Sequence, residues 1–294
     1  MMNRRTFIRQ AGTFASAAFA LGGARQTRQR YKMGLQLFTV RAPLRSDVDG
    51  TLKYAASLGY EELETYGFDP KTLGYYGLSA KEFAQRLRDL KLTTPSGHYD
   101  LNTFASASMD DLNGYVDRCI EGAHALGQSY ITWPLLDPPD RTIEKFKMVA
   151  GRLNTIGARI KKAGLQLAYH NHDFEFVEQN GQIGYDIILK ETDPALVKLQ
   201  IDLYWIAHGS KLTANEWFRR QPGRFVMWHV KDMHKTSRDY TELGNGTIDF
   251  TRIWPDASLA GMKHFFVEQG GNFAQDPLRS IAVSAEYVKR VLLK

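Results

Sequence analysis

From residue 32 onward, short apolar runs alternate with longer stretches whose apolar positions recur every three or four residues. The short runs, rich in β-branched and aromatic side chains, predict strands at 32–40, 61–66, 93–99, 129–135, 165–171, 197–203, 224–231 and 263–268. The longer stretches predict helices at 48–58, 79–90, 109–126, 142–163, 183–192, 213–220, 248–259 and 276–293. Gly59, Gly127, Gly164, Gly223 and Gly261 each stand where a helix would close before the next strand. The strands read as nearly continuous apolar runs, as expected when helices cover them. Such alternation implies parallel pairing through right-handed crossovers. Eight units in roughly 260 residues predict an α/β fold, a (β/α)8 TIM barrel over residues 31–294, and not an open sheet. No glycine-rich phosphate fingerprint follows the first strand, which argues against a dinucleotide fold. The segments 71–80 and 134–140 read as loops following strands, the former an extended one on the active-site side.

Polar residues recur where the apolar runs end. LQLAYHNH (165–172), LVKLQID (196–202), RFVMWHVKD (224–232) and KHFFVEQ (263–269) deliver His170 and His172, Asp202, His229 and Glu268. In a barrel the C-terminal strand ends carry the site. Earlier strands add Glu64 and His98 to the same rim, and Lys231, Asp232 and Gln269 follow the later ones. Carboxylate and imidazole without thiolate suit Mn²⁺, Mg²⁺, Co²⁺ or Zn²⁺. Such an ion can bind adjacent oxygens of a hydroxy-ketone and stabilise the enediolate formed when the carbon between them loses a proton. A glutamate at a strand end beside the ion is a natural proton shuttle. His170 and His172 are two apart on a strand and so face the same side. Phe38 and Trp205 fit the barrel wall or a stacking platform, and Glu64 is alternatively a buried ion-pair partner of Lys231.

Charge changes the picture little. The formal net charge is +6, but residues 1–30 hold six arginines and no acid, so the rest of the chain is balanced. That is no nucleic-acid footprint. The leader runs NRRTFI, with Arg4-Arg5, into a mildly apolar stretch at 11–24 that is too short for a stable membrane anchor. It resembles a twin-arginine export signal, which implies a periplasmic or extracellular location. Cys119, the only cysteine, excludes an intramolecular disulfide and a thiolate metal cluster.

IDLYWIAHG, WHVKDM and FFVEQ, with YHNHDFEF and SGHYD, resemble the sugar-phosphate isomerase/epimerase superfamily of xylose-isomerase-like TIM barrels over residues 32–294. The resemblance implies a divalent ion held from strands five to eight by Glu, Asp, His and Glu, here Asp202, His229 and Glu268 with His170 where the first Glu would stand. It implies proton transfer on a ketose or keto-sugar, with Glu268, His170 and Glu64 as catalytic groups. By their places at or near the strand ends, His98, His172, Glu175, Lys231 and Trp205 are read as contacts to a small carbohydrate, and the long βα loops permit a homodimer. Because the strand-five Glu serves in ketose epimerases as one of two acid/base groups, His170 opens a lyase or hydrolase of 3-keto-glycosides, or a dehydratase, as an alternative, and the resemblance to exported relatives implies oxidised (3-keto) sugars or glycosides as substrates. A DNA-repair phosphodiesterase and a sugar-binding barrel without catalysis are the competing classes.

Overall fold

The computed structural model describes residues 31–294; the leader and its twin-arginine reading lie outside the described residues. Eight parallel strands close into a barrel: β1 (Met33–Gln36), β2 (Glu62–Thr65), β3 (Thr93–His98), β4 (Tyr130–Trp133), β5 (Gln166–His170), β6 (Val197–Asp202), β7 (Met227–Val230) and β8 (His264–Val267). Each pairs with its neighbours in sequence, and β8 returns to β1 through Met33↔Phe265. Helices α1 (Val48–Ser57), α2 (Ala80–Asp89), α3 (Met109–Leu126), α4 (Ile143–Lys162), α5 (Gly184–Glu191), α6 (Ala214–Arg220), α7 (Phe250–Ile253) and α8 (Pro277–Tyr287) fill the intervals. Among the described residues no helix is long and apolar enough to cross a membrane.

Local chemistry sets these boundaries. Ser79 and Glu82 form a reciprocal cap that starts α2, and Ser108 and Thr142 cap α3 and α4. Gly127 ends α3 in the left-handed region, which a side chain would resist. The segment predicted as one helix at 248–259 is broken into three short helical pieces around Pro255, which cannot donate its N–H.

Two other predicted boundaries shift. The first strand stops at Gln36, not at residue 40, because the Gln36 side chain accepts the Phe38 N–H and turns the chain into a 3-10 helix, Leu37–Val40. The sixth stops at Asp202, whose carboxylate accepts the N–H groups of Tyr204 and Trp205 and starts a helix, Leu203–Gly209, that the aromatic run concealed. The extended loop after β2 folds into a small antiparallel sheet, Phe68–Asp69, Gly74–Tyr75 and Leu78–Ser79.

Two apolar layers hold the barrel. The larger lies between the strands' outer faces and the helices and includes Cys119, buried as a small hydrophobe. The smaller, Ala168, Val226, Met227 and Phe266, lies apart from it. Gly34 makes room for it: a Cβ there would lie 2.2 Å from the Phe265 carbonyl oxygen and 2.7 Å from the Phe266 ring. Nearer the C-terminal strand ends, the buried side chains become polar: Gln36, Glu64, Ser96, Thr132, Gln200 and His229 are all fully buried. That polar layer is the floor of the site.

Candidate metal centre

Strand register brings the ligand-type residues together. Asp202 on β6 lies beside His229 on β7, and Val230 beside Val267, so Glu268 follows at the next step. One ligand atom from each of Asp202, His229 and Glu268 lies within 4.8 Å of the others. Two atoms bonded to one ion at ~2.6 Å or less stand at most ~5.2 Å apart, so the spacing is that of a shared cation.

Hydrogen bonding identifies the atoms. Asp202 Oδ2, His229 Nδ1 and Glu268 Oε2 are buried and make no hydrogen bond of good geometry; their close polar contacts are ionic, His229 Nδ1 to Glu268 Oε2 at 2.6 Å and Lys231 to both carboxylates. Buried polar atoms are rarely left so. The other atoms of Asp202 and His229 are committed: Asp202 Oδ1 caps the following helix, and His229 Nε2 lies 2.5 Å from Glu64 Oε2. That contact places a proton on Nε2; Nδ1 faces the carboxylates, 2.6 Å from Glu268 Oε2, and at neutral pH carries a proton that binding an ion would release. Two carboxylate oxygens and one imidazole nitrogen converging on one point fit a divalent ion.

Lys231 reaches the same point. Its Nζ lies 2.7 Å from Asp202 Oδ2 and 2.8 Å from Glu268 Oε2. Burial opposes charge on Glu268, but Lys231 and His229 outweigh it and hold the carboxyl well below its usual range. Asp202, with no exposure against 8% for Glu268, is raised by burial, which the same two cations only partly offset. Burial also opposes charge on His229, yet the carboxylates of Glu268 and Glu64 raise its pKa to about 9.

Glu64 sits beneath His229 with both oxygens occupied. Oε1 accepts from Ser96 Oγ and Gln200 Nε2, and Oε2 from Gln36 Nε2 and His229 Nε2. Burial works against its charge, but His98, His229 and these bonds hold its pKa down to about 2. Lys231 is not its partner; the ammonium pairs with Asp202 and Glu268.

The imidazoles line the β3–β5 side. His170 Nε2 is 3.7 Å from Asp202 Oδ2, and its ring centre is 4.6 Å from that of His229 and 5.0 Å from that of His172. Burial, then His229, holds the His170 pKa well below its ordinary value, so the ring is neutral. His98, His170 and His229 also form a compact nitrogen group, but His98 Nε2 is spent on Gln200 Oε1 at 2.7 Å. His172 packs against Trp205 at 5.3 Å, and both His172 Nδ1 and Trp205 Nε1 are buried without a partner.

Glu175 stands apart from the contacts expected of it. It is fully buried, and its oxygens accept from Tyr169 Oη and the His172 N–H. Asp232 turns away as well, its carboxylate taking the N–H groups of Gly244, Gly246 and Ile248 and so pinning the tight turn at 244–246. Gln36, Ser96 and Gln200 escaped the sequence reading; their signal is a polar residue inside an apolar strand run, at positions facing the barrel axis. Asn171, whose Oδ1 accepts the Asp202 N–H, ties β5 to β6.

Known proteins agree with the fold and place it in a family. The family described as "Xylose isomerase-like TIM barrel" matches residues 52–267. Inosose dehydratase of Lacticaseibacillus casei is 26% identical over 163 residues, which are 49% of this chain and 52% of that protein. Inosose dehydratase of Clostridium perfringens is 28% identical over 166 residues, 50% and 54% of the two chains. The chain thus matches about half the length of these curated relatives. A crystal structure of a sugar phosphate isomerase/epimerase from Parabacteroides distasonis is 26% identical, with a TM-score of 0.79 over 92% of this chain and 97% of that one. With the fold and the matched span in agreement, this chain belongs to the xylose isomerase-like TIM barrel family.

Proposed function

We propose that the chain is a divalent-metal-dependent carbohydrate enzyme that moves a proton on the carbon beside a carbonyl of a ketose or keto-sugar, an isomerase or epimerase by reaction class. The observation that carries this reading is the convergence of three buried ligand-type atoms, on Asp202, His229 and Glu268, within 4.8 Å of one another. Mn²⁺, Mg²⁺, Co²⁺ or Zn²⁺ bound by them, with His170 alongside, would supply Lewis-acid stabilisation of the negative charge that develops on the substrate oxygens.

The chain's own residues supply the rest. Glu268 is the most exposed of the three site carboxylates, at 8% against none for Asp202 and Glu64, and it is the group assigned to take the proton. The C–H electron pair moves towards the carbonyl, and the proton returns at the neighbouring carbon in isomerisation or on the opposite face in epimerisation. Neutral His170 and His172 stand opposite as proton carriers or substrate contacts. Lys231 and the free indole N–H of Trp205 donate to substrate oxygens. Glu64, with its oxygens already occupied, is a positioning residue that orients His229.

A second reading is elimination, in which the same electron pair expels a neighbouring hydroxyl or alkoxyl that leaves with a proton. His170 in place of a second carboxylate favours it, since Glu268 is then the one carboxylate available as base. The similarity to proteins named inosose dehydratase supports it as well.

Incubating metal-loaded protein with a panel of ketoses and keto-glycosides in D₂O tests both readings by NMR. The proposal expects deuterium at the carbon beside the carbonyl, and loss of that exchange in Glu268→Gln with the ion retained. Absence of exchange across the panel contradicts it. For location, we propose export through the Arg4-Arg5 leader; Lys at both positions should leave the protein in the cytoplasmic fraction, and unchanged fractionation contradicts export.

A further inference from the structure

We infer that Asn180 is a site of spontaneous chemical modification: in the folded chain it deamidates through Gly181 to aspartate and isoaspartate, while the Asn-Gly pairs at 113–114 and 245–246 are protected. This goes beyond the reaction proposed above and does not depend on it. The step needs only water. The Gly backbone nitrogen attacks the Asn Cγ, the bond from Cγ to the side-chain nitrogen breaks, and that nitrogen leaves as ammonia with the proton of the attacking N–H. Water then adds to either carbonyl of the cyclic imide and cleaves its ring C–N bond, giving aspartate or isoaspartate. Reaction therefore requires an N–H that no acceptor holds, an amide side chain free to turn onto it, and a backbone with room to move.

The pair at 180–181 meets all three conditions. It forms the two-residue tip of a hairpin between Glu178–Gln179 and Gln182–Ile183, with Gln179 opposite Gln182. Asn180 and Gly181 both take positive φ, 51° and 77°, the conformation that selects Asn-Gly in such tips. Both are exposed, and a Cβ built on Gly181 would meet nothing within 4 Å. Among the described residues neither the Asn180 side chain nor the Gly181 N–H makes a hydrogen bond. Two residues a side is a short ladder, and a lone pair of strands is marginal by itself, so the tip opens at little cost.

The other two pairs fail the conditions. Asn113 and Gly114 lie in the second turn of α3, where the Gly114 N–H is spent in the helical ladder. Gly246 donates its N–H to Asp232 Oδ2 at 3.1 Å, within the turn that the same carboxylate pins through Gly244 and Ile248. A Cβ on Gly246 would lie 2.1 Å from Asp232 Oδ1 and 2.5 Å from the Met233 carbonyl oxygen, so its peptide has no room to swing. A held N–H reacts only when its bond opens. Modification at 180 places a new carboxylate two residues from Glu178, whose partner is Lys211 at 2.9 Å, and isoaspartate adds a carbon to the backbone of the turn.

The test is peptide mapping of the folded full chain, aged at mildly alkaline pH and sampled over weeks. Trypsin puts the three pairs in separate peptides, 92–118, 163–190 and 239–252, and mass spectrometry reads the conversion of each. Conversion at Asn180 should outpace that at Asn113 and Asn245 by at least about tenfold, the protection that one held N–H gives. In the urea-unfolded chain the three rates should converge. Asp232→Ala, which frees the Gly246 N–H, should raise the rate at Asn245 alone. An Asn180 that stays intact in the folded chain, a faster Asn113 or Asn245, or the same lead for Asn180 in urea overturns the inference. So does an unchanged rate at Asn245 in a folded Asp232→Ala chain; where that variant does not fold, the comparison with urea still decides.

Discussion

His229 and Glu64 share one short contact, 2.5 Å from Nε2 to Oε2, and that contact decides which nitrogen of His229 faces the site. With Nε2 held by the carboxylate below, Nδ1 faces Asp202 and Glu268, 2.6 Å from Glu268 Oε2. The carboxylate behind the imidazole is the arrangement that orients metal-binding histidines in general.

Glu64→Gln should therefore weaken metal binding by about 10–100-fold, the usual cost of losing such a partner. Isothermal titration with Mn²⁺ or Zn²⁺ measures it. If affinity is kept while proton exchange disappears, Glu64 is an acid/base group and not a positioning one.

Lys231 holds two buried carboxylates, at 2.7 and 2.8 Å. Removing one partner of a buried ion pair destabilises by about 3–5 kcal/mol. Lys231→Met should thus lower the melting temperature of the chelated protein. It should also tighten metal binding, because a competing cation is gone. The rise in melting temperature on adding metal should be larger than in the unsubstituted chain. An equal rise in both contradicts the competition.

Glu175 makes stability pH-dependent in a defined direction. Burial pushes its carboxyl from 4.5 up to about 8, and the bonds from Tyr169 and His172 only partly oppose that. Between those values the folded chain binds one proton more than the unfolded chain. The contribution is fully present below the unfolded pKa and is lost as pH rises through the folded one. Relative to Glu175→Gln, the unsubstituted chain should lose stability across that interval with a slope approaching ~1.4 kcal/mol per pH unit. Urea unfolding of both at a series of pH values reads the slope, and a flat difference contradicts a buried neutral acid.

The sequence made some of this legible. Asp202, His229 and Glu268 stood out because each ends an apolar run, and a parallel barrel sends all such ends to one rim. Strand and helix positions followed from periodicity, and the glycines that close helices fall in the left-handed region, Gly59 and Gly261 among them. What stayed hidden depends on distant partners. Nothing local to Gln36, Ser96 or Gln200 says that all three donate to Glu64. The run LYWIA carries strand-forming residues, yet the Asp202 cap turns it into a helix. Glu175 follows a histidine-rich strand end and invites a role in binding, but its loop folds it inward onto Tyr169.

The most direct test of the central claim is anomalous diffraction from crystals of the chain grown with Mn²⁺ or Co²⁺. The account predicts one strong peak at ~2.0–2.6 Å from Asp202 Oδ2, His229 Nδ1 and Glu268 Oε2, with the Lys231 ammonium moved off the two carboxylates. A barrel mouth without a peak, or a peak bound by other residues while Lys231 still bridges Asp202 and Glu268, would contradict it.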